Sequence, residues 1–149
     1  DKALSRIDKY FQTGNFESDL KRRIAFKTES NLPNCVNALQ SYLEKEITPY
    51  LSAIGFSCTI YPNSFKDAGP VLLAHRIEGT DLPTVMTYGH GDVVAGYDDQ
   101  WENEMSPWDI TKVGNRWYGR GTADNKGQHT INLAALKAVL ETRGHLGFN

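Results

Sequence analysis

The segment Thr84–Tyr88 constrains this chain more than any other. It is a compact, β-prone apolar run between Pro83 and Gly89. The flanking residues bound it as a strand, and its lack of strict alternation predicts burial on both faces, as in the middle of a sheet. Helical patterns precede it. Ala3, Leu4, Ile7, Tyr10 and Phe11 recur at a helical period, which Gly14 and Asn15 break. Ser18 or Asp19 is the expected cap of a second helix through Leu20, Ile24 and Phe26. A third helix is expected after Pro33-Asn34, with Val36, Leu39, Leu43 and Ile47 on one face. Pro49 should kink or end it, and Gly55 should close the region. Phe56–Tyr61 and Val71–Ile77 read as strands. Trp108–Val113 and Arg116–Tyr118 read as a hairpin turning at Gly114-Asn115. Lys126–Thr142 reads as a closing helix, with Ile131, Ala134, Ala135, Ala138, Val139 and Leu140 inward. Helices first, then strands alternating with helix, predict a layered α/β/α domain with a mainly parallel central sheet.

Length and charge narrow the function. A chain of 149 residues is one domain in size and buries roughly 68–70% of its unfolded surface, enough for a core. Sixteen basic residues against eighteen acidic ones give a net charge of -2, which supplies no phosphate neutralisation. Nucleic-acid binding therefore has no electrostatic support. The run Lys21-Arg22-Arg23 reads as a solvated helix face. No apolar stretch reaches the ~18–20 residues of a membrane span. The charged, amphipathic N-terminus is unlike a signal peptide. Cys35 and Cys58 sit in no metal-binding pattern and read as reduced, half-buried thiols of a cytoplasmic protein, although a disulfide is not excluded. Both chain ends read as cuts in a longer polypeptide.

Two polar, glycine-rich stretches carry the chemistry. Gly89-His90-Gly91-Asp92-Val93-Val94 follows the expected central strand, at the end where sites assemble in open α/β sheets. His90 is a candidate metal ligand. Asp92, two residues on, lies on the same side of an extended chain and can hold the second ring nitrogen. Alone, His-x-Asp reads as a structural histidine. The second stretch, Tyr118-Gly119-Arg120-Gly121-Thr122-Ala123-Asp124-Asn125-Lys126-Gly127, sets a carboxylate just before a helix. Asp124 could simply cap that helix. Together the two stretches suggest one shared site, in which a carboxylate can bridge two metals and histidine plus carboxylate suits zinc.

These stretches, with Trp101, Ser106-Pro107-Trp108 and Trp117 between them, resemble the zinc peptidase family of aminoacylase, acetylornithine deacetylase, succinyl-diaminopimelate desuccinylase and carboxypeptidase G (clan MH). The resemblance is specific over Thr84–Leu140. It implies that residues 1–149 are the N-terminal portion of a zinc-dependent catalytic domain. It implies His90 as a zinc ligand, Asp124 as the carboxylate bridging two zincs, and Asp92 as the aspartate that orients His90. It also implies a cis peptide at Asp124–Asn125, and supporting roles for Arg120, Asn125 and Lys126. Zinc is the expected metal, with cobalt or manganese as substitutes. The expected substrate is a small molecule, an N-acyl amino acid or short peptide, and a homodimer would form through a domain outside this chain.

What the family has and this chain lacks is an adjacent Glu-Glu pair, which supplies the general base and a further ligand. Glu44 and Glu46 are two apart and read as solvated. His75 falls in an expected strand, His145 at the chain's end, and His129 reads as a helix-surface histidine. The tryptophans read as packing residues. The leading expectation is an amide or peptide hydrolase, with this chain inactive alone. The alternative is a non-catalytic domain of the same fold that binds a metal or a partner. A metal-free hydrolase has no Gly-x-Ser-x-Gly element to support it. One geometric expectation follows. Donors to one zinc lie about 2.0–2.2 Å from it, so a His90 ring nitrogen and an Asp124 oxygen should lie roughly 3–3.5 Å apart.

Overall fold

A computed structural model describes residues 1–33, 35–65 and 68–149. Helix α1 (Lys2–Gln12) starts where the Asp1 carboxylate accepts the Ala3 N–H at 2.9 Å, satisfying one of the first-turn donors. Helix α2 (Asn15–Ile24) begins earlier than Ser18, because Gly14 takes φ 77° and turns the chain straight into it. Tyr10 Oη donates to Asp19 at 2.6 Å and ties the two helices together. Helix α3 (Cys35–Tyr42) follows; Asn34, in the expected start of this helix, lies outside the described residues. It runs into a π-helical turn, Leu43–Ile47, and then α4 (Thr48–Ala53), which has Pro49 in its first turn. Pro49 therefore neither ends nor breaks the helical path. A proline lacks the N–H that would close an α turn and crowds the carbonyl four residues back, and a wider turn before it relieves both.

Gly55, at φ 84°, reverses the chain into β1 (Ser57–Tyr61). This strand pairs antiparallel with β2 (Val71–His75), Thr59 opposite Leu73. A second antiparallel pair, β3 (Thr111–Val113) and β4 (Arg116–Tyr118), turns at Gly114-Asn115 as expected. Helix α5 (Lys126–Arg143) closes the chain, and Gly144 caps it at φ 77°.

The expected mainly parallel central sheet is not shown among the described residues. Among the described residues the sheets are these two antiparallel pairs. Among the described residues Thr84–Tyr88 belongs to no strand, with Met86 91% and Tyr88 83% exposed. The run has the composition of a buried strand and lacks the neighbouring strands that would bury it. Parallel pairing is confined to two points. Glu29 bridges Val93. Asn149 N–H donates to the Pro83 carbonyl and its carbonyl accepts from Val85 N–H, both at 2.8 Å, a parallel pattern centred on Thr84.

The core lies where α3, the π turn, α4 and α5 meet. Tyr42, Ile47, Leu51 and Leu133 are buried there, with Phe26, Phe56 and Leu72 against them. Each fully buried side chain of this size contributes roughly 1.5–3 kcal/mol. Helix α5 packs on α1 and α2, and its buried residues include Lys126, Thr130, Leu133, Ala134 and Ala138. Ile131 and Ala135, expected inward, are exposed. Two further expectations fail in the same region. Arg23 is 0% exposed and Glu46 8%, so neither lies on a solvated face; they form an ion pair at 3.2 Å.

Candidate metal centre

Two loops converge on His90. The first, 89–96, is held by the strand-like segment after α2. Thr28 Oγ1 donates to the Gly91 carbonyl at 2.6 Å, and Val93 N–H donates to the Thr28 carbonyl at 2.9 Å. A Cβ on Gly91 would lie 2.8 Å from the Tyr42 ring, closer than atoms approach, so only glycine lets the loop rest on the core. The second loop, 119–125, is pinned under the start of α5. A Cβ on Gly127 would meet the Thr122 carbonyl oxygen at 1.8 Å.

The side chains meet accordingly. His90 Nε2 lies 2.9 Å from Asp124 Oδ1, just short of the roughly 3–3.5 Å expected of two donors to one metal and within hydrogen-bonding distance. His90 Nδ1 faces the Asp92 carbonyl at 3.1 Å and its carboxylate at 3.2 Å. The structure thus brings His90, Asp92 and Asp124 together. Burial draws the His90 pKa down, but the hydrogen bonds to Asp92 and Asp124 and the charges of both outweigh it, and the net shift is upward. The Asp124–Asn125 peptide is cis, as the resemblance implies.

Behind this pair lies support that the motifs did not reveal. Asn125 Oδ1 accepts the His90 backbone N–H at 3.0 Å. His129 Nε2 accepts from Tyr42 Oη at 2.5 Å, while its Nδ1 faces Asn125 Oδ1 at 3.4 Å. Burial, then the charges of Arg23, Lys126 and His90, push the His129 pKa down to about 3, so the ring is neutral. His129 is therefore a link in a hydrogen-bonded chain from Tyr42 to His90 and not a surface histidine. Only its helical spacing after Asp124 hinted at this; Thr28 and Tyr42 carried no signal. Lys126 is wholly buried, with Nζ donating to the Phe26 carbonyl at 2.7 Å. Burial pulls its pKa down, the charge of Asp92 offsets part of that, and the net result is about 7. His75 and His145 lie exposed on β2 and after α5. The tryptophans pack as expected: Trp101 Nε1 donates to the Gly96 carbonyl at 2.7 Å, and Trp117 stacks on Phe11 at 5.9 Å.

His90, Asp92 and Asp124 line a cavity of about 280 Å³. A larger groove, about 340 Å³, runs between α1 and α5 and contains neither motif; chemistry, not size, marks the site. The donor types suit zinc, since an imidazole nitrogen and a carboxylate oxygen converge while a second carboxylate backs the ring. Asp124 is 84% exposed, open to a cation. No group of three or more His, Cys, Asp or Glu side chains that could hold a metal occurs among the described residues.

Comparison with known proteins identifies relatives of the chain. Residues 86–148 match the model of peptidase family M20/M25/M40. The cysteinylglycine-S-conjugate dipeptidase of Corynebacterium striatum is 36% identical over 101 residues, 67% of this chain and 21% of that protein. A succinyl-diaminopimelate desuccinylase of Orientia tsutsugamushi is 31% identical over 123 residues, 82% of this chain and 29% of its own length. Among solved structures, human carnosine dipeptidase 1 has a TM-score of 0.82 at 26% identity, covering 98% of this chain and 33% of that one. A di-peptidase of Saccharomyces cerevisiae gives 0.78 at 23% identity, covering 97% of this chain and 32% of that one, a likeness of fold alone. The chain spans about a fifth to a third of the length of these relatives.

Proposed function

We propose, on the premise that residues 86–148 belong to peptidase family M20/M25/M40, that the protein hydrolyses amide or peptide bonds as an N-acyl amino acid deacylase or exopeptidase. The observation that carries this reading is the 2.9 Å approach of His90 Nε2 to Asp124 Oδ1, with Asp92 on the other ring nitrogen. In this reading His90 and Asp124 hold zinc, with Asp124 shared between two ions. Asp92 keeps the imidazole in the tautomer whose Nε2 lone pair faces the metal. Asn125 fixes the His90 backbone, and the Tyr42–His129 pair fixes Asn125. When bound, a zinc pair polarises the amide carbonyl and makes water a better nucleophile. No side chain described here is placed as general base, so the chain alone is inactive in this reading. A cytoplasmic location and a homodimer through a domain outside the chain complete the proposal; fractionation and sedimentation test them.

The decisive experiment pairs zinc analysis of the full-length protein with a hydrolysis screen of N-acyl amino acids and dipeptides. Two zinc ions per protomer are expected, with activity falling at least about 100-fold in Asp124→Ala and His90→Ala. A protein that hydrolyses these amides equally well after both substitutions overturns the reading. So does one that binds zinc and hydrolyses none, which is the behaviour of a non-catalytic binding domain.

A further inference from the structure

We propose that the groove between α1 and α5 is a second ligand site, for a small phosphate monoester with an apolar body. The site is independent of the amide-hydrolase reading, since none of its residues lies at the His90–Asp124 cavity. The groove holds about 340 Å³, within the range of small-molecule sites. About three turns of α5, or ~16 Å, separate its Lys137 from Lys126 at the start of the helix.

The charge of the groove is unbalanced. Arg6, Lys9 and Lys137 line it, and among the described lining residues Glu141 is the one carboxylate set against them. Arg6 reaches Glu141 at 3.2 Å and Lys137 reaches it at 3.9 Å, so two cations share one anion. Lys9 forms no ion pair with a described residue. The lining thus carries an excess of two positive charges. The acidic groups behind it do not cancel that excess. Asp19 accepts from Tyr10 Oη at 2.6 Å and pairs with Arg22 at 2.8 Å. Glu46 pairs with Arg22 and Arg23, each at 3.2 Å. These two carboxylates and two guanidiniums balance among themselves.

Tyr50 adds a donor. Its hydroxyl is buried without a partner. Burial, against the opposing charge of Arg23, pushes its pKa up to about 12, so the group keeps its proton and lacks only an acceptor. Lys137 Nζ lies 5.6 Å from the centroid of the same ring, which puts a cation of the groove beside that hydroxyl. These features select a ligand. A phosphate monoester carries about -1.5 to -2 at neutral pH and three acceptor oxygens, which answers two excess charges; a monocarboxylate leaves one of them unmatched. The Arg6 fork and the lysine point charges both suit phosphate. Ile7, Tyr10, Ala134 and Ala138 supply the apolar surface of the groove. A ligand body that covers this surface gains free energy that bare phosphate cannot.

The test is calorimetric titration of the full-length protein with phenyl phosphate, inorganic phosphate and phenol. Amide resonances of Ala134 and Ala138 in the ¹⁵N-labelled protein locate the binding. Phenyl phosphate is expected to shift both amides and to bind at least about 10-fold more tightly than either of the other two. Lys9→Gln combined with Lys137→Gln should weaken it by about 10- to 100-fold. Lys9 is exposed and the Lys137 side chain is 44% exposed, so this variant keeps its fold, which circular dichroism checks. Tyr50→Phe should weaken binding by about 3- to 10-fold. Asp124→Ala should leave it unchanged, which separates this site from phosphate captured by a metal at His90 and Asp124. Unmoved Ala134 and Ala138 amides overturn the proposal. So does inorganic phosphate that binds as tightly as phenyl phosphate, binding undiminished by the lysine pair or by Tyr50→Phe, or binding abolished by Asp124→Ala.

Discussion

Replacing Glu46 by alanine removes the carboxylate that faces a wholly buried guanidinium. Arg23 is 0% exposed and Glu46 8%. Glu46 Oε1 accepts from Arg23 Nε at 3.2 Å, and Arg23 Nη1 donates to Thr130 at 2.7 Å, while Nη2 has no partner. After the substitution the cation keeps one hydrogen bond and loses its counter-charge. Breaking a buried pair from one side costs about 3–5 kcal/mol. Arg22, which also reaches Glu46, adds little: it is 51% exposed and retains Asp19 at 2.8 Å. Glu46→Gln preserves shape and an acceptor and should lose roughly half as much. Arg23→Met with Glu46→Leu removes both charges together and should be close to neutral, because the desolvation cost disappears with the attraction. Urea unfolding followed by tryptophan fluorescence reads all four proteins. Against a total stability of about 5–15 kcal/mol, the alanine variant should sit near the edge of folding. A loss below about 1 kcal/mol would mean that solvent reaches the pair. A double variant as unstable as Glu46→Ala would refute the argument from uncompensated charge.

Three further outcomes follow from other contacts. The hydrogen bond from Arg76, then those from the Gly147 and Leu146 N–H groups, outweigh burial and hold the Glu78 carboxyl down at about 2. With its folded pKa below the unfolded value of 4.5, the strap at residues 146–147 should be fully anchored above that value and released as pH falls through about 2. Amide shifts of Leu146 and Gly147 followed from pH 5 to 2 check this, and a midpoint at the ordinary carboxylate pKa would contradict it. Gly127→Ala forces a Cβ to 1.8 Å from a backbone oxygen that cannot swing aside, so a loss of about 3 kcal/mol or more is expected in thermal unfolding. Tyr42→Phe removes the donor to His129 Nε2 and should cost about 1–3 kcal/mol; an unchanged Tm would show that water replaces the hydroxyl.

The site was more legible in the sequence than the packing around it. His90, Asp92 and Asp124 lie in short stretches whose glycines restrict what the backbone can do, so their chemistry travels with a few adjacent residues. Gly91 and Gly127 are there because a Cβ would strike Tyr42 and Thr122, which is why the pattern is visible at all. Arg23, Glu46 and His129 were misread for the opposite reason. On a helix, charge usually means solvent, and nothing in the local pattern says that Lys21-Arg22-Arg23 turns its third member toward a glutamate on the π turn. That pairing exists only once α2 and the π turn are side by side.

The reading of Thr84–Tyr88 turns on the same distinction between local and long-range information. Apolar composition made Thr84–Tyr88 an interior strand, yet the segment belongs to no strand among the described residues, with Val85, Met86 and Tyr88 exposed. Extension is a property of the residues themselves; a ladder is a property of two segments. At Thr84 the second segment arrives, as Asn149 exchanges hydrogen bonds with Pro83 and Val85 in parallel sense. That single pairing has the connection of a βαβ unit: a strand, α5, and a return beside the strand, the way parallel neighbours form. Ile131, on the α5 face turned from α1 and α2, is 58% exposed for the same reason as Met86. A crossover helix buries its second face against a sheet, and here that sheet is present at one residue pair.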